Sequence, residues 1–212
     1  MKRWLIAALF LSSLVILAES VSYKNFTTPP APGAPRVVTP DKTVSYGGFQ
    51  IQPMPGMKWG IAPGKGQREN MAFWAIVDAK NILHTTIAMV ALSPQLPEQR
   101  LKKISLEMLK DHMTKRFLSD RSGRFKNIKV SSQITTINGV KFAKVVGSAQ
   151  DTGSRHSAKP LRLYAETLSG ITSDGRIFTI SISERNPEQN SKPDHAAINQ
   201  FIHAVRLTTP QK

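Results

Sequence analysis

The chain has 212 residues, no cysteine and a formal net charge of +15. Without cysteine there are no disulfides, no thiol catalysis and no Cys-ligated zinc or iron–sulfur centre, so stability has to come from a packed core. The positive excess favours anionic partners such as lipid headgroups, acidic polymers or acidic protein surfaces, unless it is a trait of a basic lineage.

The first segment reads as an export signal. Met1, Lys2 and Arg3 precede an apolar run from Leu5 to Ala18, and Ala18-Glu19-Ser20 offers a small-x-small cleavage site before Val21. The alternative is an uncut anchor, for which the run is short of the roughly 18 apolar residues of a spanning helix. The expected location is periplasmic or secreted, or, for an uncut signal, N-terminally anchored to the inner membrane. Residues 21–46 follow as a tether: Pro29, Pro30, Pro32, Pro35 and Pro40 favour extended chain with little to bury. A single α/β domain is expected over residues 47–209.

Within that domain Phe49, Ile51 and Pro53 alternate as a short strand, and a turn at 54–58 delivers Trp59 to an apolar site. Met71–Val77 and Ile82–Leu92 are longer β runs joined by a turn at Asp78-Ala79-Lys80-Asn81. The second is apolar on both faces, as in a strand inside a sheet. One helix is predicted to open at Pro97, with Leu101, Ile104, Leu106, Met108, Leu109, Met113 and Phe117 on its apolar arc and Lys103–Glu107 and Asp111–Lys115 paired opposite. Four β runs come next, near 128–137, 140–150, 161–169 and 177–184. Asn138-Gly139 and Ser173-Asp174-Gly175-Arg176 supply turns. An end helix begins at Asp194 and carries Ile198, Phe201, Ile202 and Val205 at helical spacing. The order β-β-β-α-β-β-β-β-α predicts an α+β fold, a mostly antiparallel sheet with helices packed on it.

These segments resemble the PsbP-like fold group, which takes in the photosynthetic PsbP proteins, the Ran-binding Mog proteins and envelope proteins of the DcrB type. The likeness rests on Gly48-Phe49-Gln50-Ile51-Gln52-Pro53, Gly56-Met57-Lys58-Trp59, the central helix, Ile137-Asn138-Gly139-Val140, Asp174-Gly175-Arg176-Ile177-Phe178 and Phe201-Ile202. It implies a PsbP-like sandwich and a non-catalytic binding or assembly role, with no ligand residues to carry over.

No catalytic motif emerges. The histidines His84, His112, His156, His195 and His203 form no pair at metal-ligand spacing, and G-x-S-x-G is absent. No metal or cofactor is expected. His112 reads as a packed helix residue. Asp151, Ser154 and His156 share a segment whose composition is that of a hairpin loop. Gly64-Lys65-Gly66 lacks the phosphate-loop spacing.

Charge is the remaining signal. Lys115, Arg116, Arg121, Arg124, Lys126 and Lys129 stand against Asp120 alone, and Arg155, His156, Lys159 and Arg162 form a second run. Lys115 and Arg116 complement a helix C-terminus, whereas Arg121, Arg124 and Lys126 have no such local reason. The two runs are the expected contact for an anionic partner, either a lipid or acidic-polymer surface or an envelope protein; no specific nucleic-acid partner is expected. The alternative is an accessory subunit of an envelope or secretion assembly held by apolar contacts.

Overall fold

Antiparallel pairing of strands close in sequence organises most of the fold. The structure, a computed structural model, describes residues 40–56, 59–61, 70–77, 85–119, 123–153 and 159–208. The export signal, residues 21–39 of the tether, the turn at 78–81, Gly64-Lys65-Gly66 and His84 lie outside the described residues.

The strands are β1 (Val44–Ser45), β2 (Phe49–Ile51), β3 (Gly60–Ile61), β4 (Met71–Val77), β5 (Thr85–Leu92), β6 (Phe125–Ile137), β7 (Val140–Asp151), β8 (Leu161–Ile171), β9 (Ile177–Asn186) and β10 (Val205–Leu207). The helices are α1 (Glu98–Leu101), α2 (Leu106–Leu118) and α3 (His195–Ala204). A seven-stranded sheet runs β3-β4-β5-β9-β8-β7-β6 and a three-stranded sheet β1-β2-β10. Every paired neighbour is antiparallel. The fold is α+β, as the sequence pattern requires.

Local chemistry accounts for the pairings. All eight residues of β5 are buried between β4 and β9, which is why that segment is apolar on both faces. Asn138 and Gly139 sit at φ 52° and 79°. Two consecutive left-handed residues make the mirror-image turn whose twist suits a hairpin, closing Ile137 against Val140. At the other hairpin Gly175, φ 79°, donates its N–H to the Thr172 carbonyl.

Successive residues of a strand face opposite sides, so the sheet has two distinct coats. Phe142, Leu168, Phe178, Ile180 and Ile182 meet α3 and the small sheet in the main core. There Phe201 of α3 lies 4.7 Å from the Trp59 ring and 6.0 Å from that of Trp74, and the Trp59 indole donates to the Ala197 carbonyl at 3.0 Å. Ala143 and Ile177, next in sequence to Phe142 and Phe178, turn to the opposite face, where Leu109 of α2 packs with Leu106 and Met113.

The central helix differs from expectation. It is broken between α1 and α2 because Ser105 is extended and its hydroxyl accepts the Met108 N–H at 3.2 Å, capping a new helix. The break separates Lys103 from Glu107; Lys102 pairs instead with Glu98, and Glu107 with Lys110. Met108 leaves the apolar arc and is 54% exposed. His112 is likewise exposed rather than packed. Strands β1, β3 and β10 are too short to show a period, and β10 follows α3 without a break.

Helix α2 can approach the sheet because β7 has a glycine beneath it. A Cβ on Gly147 would stand 2.1 Å from the Phe117 ring. Gly147→Ala should therefore lower stability by about 1–3 kcal/mol, the cost of overpacking. Urea unfolding checks this, and Phe117→Leu in the same chain should recover part of the loss.

Candidate functional site

Register brings the described residues of the two basic runs to one end of the large sheet. Lys126 of β6 pairs with Gln150 of β7, Gln150 with Arg162 of β8, and Arg162 with Asn186 of β9. At the usual strand spacing, the backbones of Lys126 and Arg162 are then about 10 Å apart. The last turn of α2, with Lys115 and Arg116, leads to this end, where the Thr152 N–H bonds the Arg124 carbonyl. The loop from 187 to 194 crosses the same end and adds Glu188 and Asp194 against Lys192.

The bases at this end divide into two kinds. Lys115, Lys126, Lys129 and Lys159 are exposed, and Arg116 is half-buried. Arg124 has the structural reason that its local sequence does not reveal. Its guanidinium grips Asp151 with two parallel hydrogen bonds, 2.7 and 2.8 Å, and lies over the Phe125 ring. Arg162 is held by Glu184 and by the Ser191 hydroxyl, 3.0 Å away. Arg121, Arg155 and His156, with Ser154, lie outside the described residues.

Asp151 is the residue the sequence pattern misplaces. It is the last residue of β7, fully buried, and serves two cations: Arg124, and Arg185 of β9 at 3.1 Å. Burial opposes its ionisation, but the Arg124 hydrogen bonds and the charges of Arg185 and Arg124 outweigh that and hold the carboxyl below the usual range. The signal that could have found this site is Glu184-Arg185, two opposite charges at the end of an apolar strand.

Glu184 and Arg185 point to opposite faces, and each anchors a cluster. Arg185 joins Asp151 on the α2 side. Glu184 receives Arg162 on the α3 side, and its second oxygen accepts the Asp194 N–H at 2.9 Å just ahead of α3. Next to it Tyr164 donates to Glu166 at 3.0 Å, Lys144 reaches the other Glu166 oxygen at 2.6 Å, and His195 packs edge-on to the Tyr164 ring. Burial and then the Glu166 charge push the Tyr164 phenol well above its ordinary value. A neutral phenol donating to a carboxylate already held by a lysine is a structural arrangement.

At the opposite end, a cleft of about 310 Å³ opens between the 138–139 hairpin and the α3–β10 junction, lined mainly by Ile137, Val140, Phe142, Ile202, Val205 and Leu207. It lies at the lower end of the range for small-ligand sites. The described histidines are scattered, with His112 on α2, His195 at the start of α3 and His203 against Asn138. No described helix is long and apolar enough to cross a membrane.

Asp151→Asn should cost about 3–5 kcal/mol at neutral pH, because both arginines lose their carboxylate while staying largely buried. A depressed carboxyl stabilises above its unfolded value and loses that contribution as pH falls through its folded one. Unfolding measured from pH 7 down to pH 2 should show the native chain losing stability with acid more steeply than the Asn variant. Parallel curves would remove Asp151 from the acid response.

No protein-family model matches the chain, and no curated protein sequence does. Solved structures are similar to it. LpqN of Mycobacterium tuberculosis, a protein involved in cell envelope biogenesis, aligns at 14% identity and TM-score 0.52, over 79% of this chain and 90% of its own. The cyanobacterial PsbP of Synechocystis aligns at 10% and 0.47, over 84% and 98%. The Ran-binding protein Mog1p of Saccharomyces cerevisiae aligns at 11% and 0.43, over 81% and 97%. A PsbP and a Mog protein thus stand among the similar structures, and the likeness to LpqN is one of fold.

Proposed function

We propose that this chain is an exported, non-catalytic binding protein of the bacterial cell envelope that contacts an anionic partner through the basic end of its large sheet. The observation that carries the reading is convergence: two basic runs apart in sequence meet across β6, β7 and β8, with Lys115, Lys126, Lys129 and Lys159 exposed. In this reading those lysines make the contact and Arg124 and Arg162 hold the strands that carry them. Arg116 belongs to the same surface, and Arg121, Arg155 and His156, which the sequence groups with it, lie outside the described residues. The fold shared with LpqN, itself involved in cell envelope biogenesis, supports the location.

Exposed lysines act as point charges on flexible stems, so such a contact is long-ranged, adaptable and screened by salt. That suits a headgroup layer or an acidic polymer better than a single shaped ligand. The second reading, a subunit held by apolar contacts, is favoured by the cleft at the other end of the sheet. Salt separates the two, since apolar contacts are not weakened by it.

The test is co-sedimentation of the chain from Val21 with vesicles of phosphatidylglycerol and phosphatidylcholine, at low and high salt. Binding should follow the phosphatidylglycerol fraction and fall steeply as salt rises. Lys126→Glu with Lys129→Glu should cut it at least tenfold at low salt while leaving thermal unfolding nearly unchanged, as for surface positions in general. Equal binding to neutral vesicles, or no loss in the double variant, would remove the basic end from the reading.

A further inference from the structure

The two edges of the large sheet are treated differently. Among the described residues, one ends in β3, two residues long; the other is β6, thirteen residues long, with most of its side chains exposed. Long open edges are templates for another strand, and proteins usually blunt them with lysine, proline or bulges. The first part of β6 has such protection, in Lys126, Lys129 and a bulge between them where Asn127 takes φ 55°. The rest has none. Val130-Ser131-Ser132-Gln133-Ile134-Thr135-Thr136-Ile137 carries no charge, proline or glycine and is rich in β-branched residues.

The hairpin fixes which backbone groups this edge offers. A two-residue turn makes Ile137 and Val140 a hydrogen-bonded pair, and alternation then directs the N–H and C=O of Val130, Ser132, Ile134 and Thr136 away from β7. The Ile134 side chain lies opposite Ala143, on the α2 side of the sheet. A second observation concerns that same side. Among the described residues, the exposed large apolar side chains are Ile134, at 37%, and Met108 and Leu118 of α2, the helix packed over β6, β7 and β8.

We infer that β6 is a self-association edge, joining two copies of this chain antiparallel about a two-fold axis at Ile134. An axis perpendicular to the sheet requires residues of like facing to meet, and centring it on Ile134 satisfies that condition. Ile134 then faces the partner's Ile134, and Ser132 the partner's Thr136. All these residues present outward backbone groups, giving about six new ladder bonds. Lys129 falls opposite the partner's Gly139, so no lysine of one β6 faces a lysine of the other. Both α2 helices, with Met108 and Leu118, lie on the same face of the joined sheet. The net charge of the chain opposes association, so screening favours it, the reverse of the salt response proposed for the basic end. The inference is independent of that reading.

The absence of native cysteine gives a direct test. In a hydrogen-bonded antiparallel pair the Cα atoms are about 5.5 Å apart, within disulfide range. Under mild oxidation the chain from Val21 carrying Ile134→Cys should form a covalent dimer at least tenfold faster than one carrying Thr152→Cys, an exposed position at the basic end. The unmodified chain should show a concentration-dependent dimer in sedimentation equilibrium that strengthens with salt. Ile134→Lys, which sets like charges together at the axis, should render it monomeric without a lower melting temperature. Equal cross-linking from both positions, a monomer at every concentration and salt, or a dimer that survives Ile134→Lys would each overturn the inference.

Discussion

The basic end of this molecule depends on one buried carboxylate. Asp151 is fully excluded from solvent, and an unpaired charge in that position would cost several kcal/mol. Two guanidiniums make it tenable, one from the segment entering β6 and one from β9, so a single side chain ties together a loop and two strands that never pair directly with one another. On the other face of the same sheet, Glu184 binds Arg162 and the backbone entering α3. With adjacent residues Glu184 and Arg185 supplying the two clusters, this end is clamped on both faces by ion pairs, in a chain that has no disulfide to do it.

The clamp also sorts the positive charge. Arginine offers a planar fork that fits a carboxylate with two parallel bonds, and Arg124 is used in that way; lysine is a compact, strongly hydrated charge, and the lysines of the same segments are outside. In the linear sequence Arg124 and Lys126 read as members of one run. Their difference depends on Asp151, twenty-seven residues further on, and on a register that local composition does not encode.

Much of the architecture was legible because its signals are local. Asn138-Gly139 demanded a particular turn, and the apolarity of β5 on both faces demanded an interior strand. Trp59, behind Met54-Pro55-Gly56, reached the apolar site expected of it. What escaped depended on competition or on distance. Ser105 lies within an unbroken helical period, and nothing in that period says that its hydroxyl will cap a new helix. Asp151 has the composition of a loop, and becomes a buried anchor only once β6, β7 and β9 are aligned. The lysines read as two concentrations of charge in the sequence, while their meeting from two separate runs follows from pairing through Gln150.

The basic end and the neutral edge occupy the same strand, and this constrains how they could work together. Lys126 is eight residues from Ile134, about 26 Å along a strand. Antiparallel joining at Ile134 would therefore set two basic ends roughly 50 Å apart at opposite extremes of one continuous sheet. Neither end would be covered by the junction. A single exposed lysine contributes little at physiological ionic strength, so one such patch binds weakly. Two patches held on one rigid sheet gain from effective concentration, because the first contact presents the second to the same surface without new interactions. Salt would then act in opposite directions on the two steps, weakening each charged contact while relieving the repulsion between copies. Binding to an anionic surface would then fall with salt less steeply at first than it does for a lone charged patch, because screening also promotes the pairing of copies. That difference in shape, not the affinity itself, is the signature of coupling between edge and end.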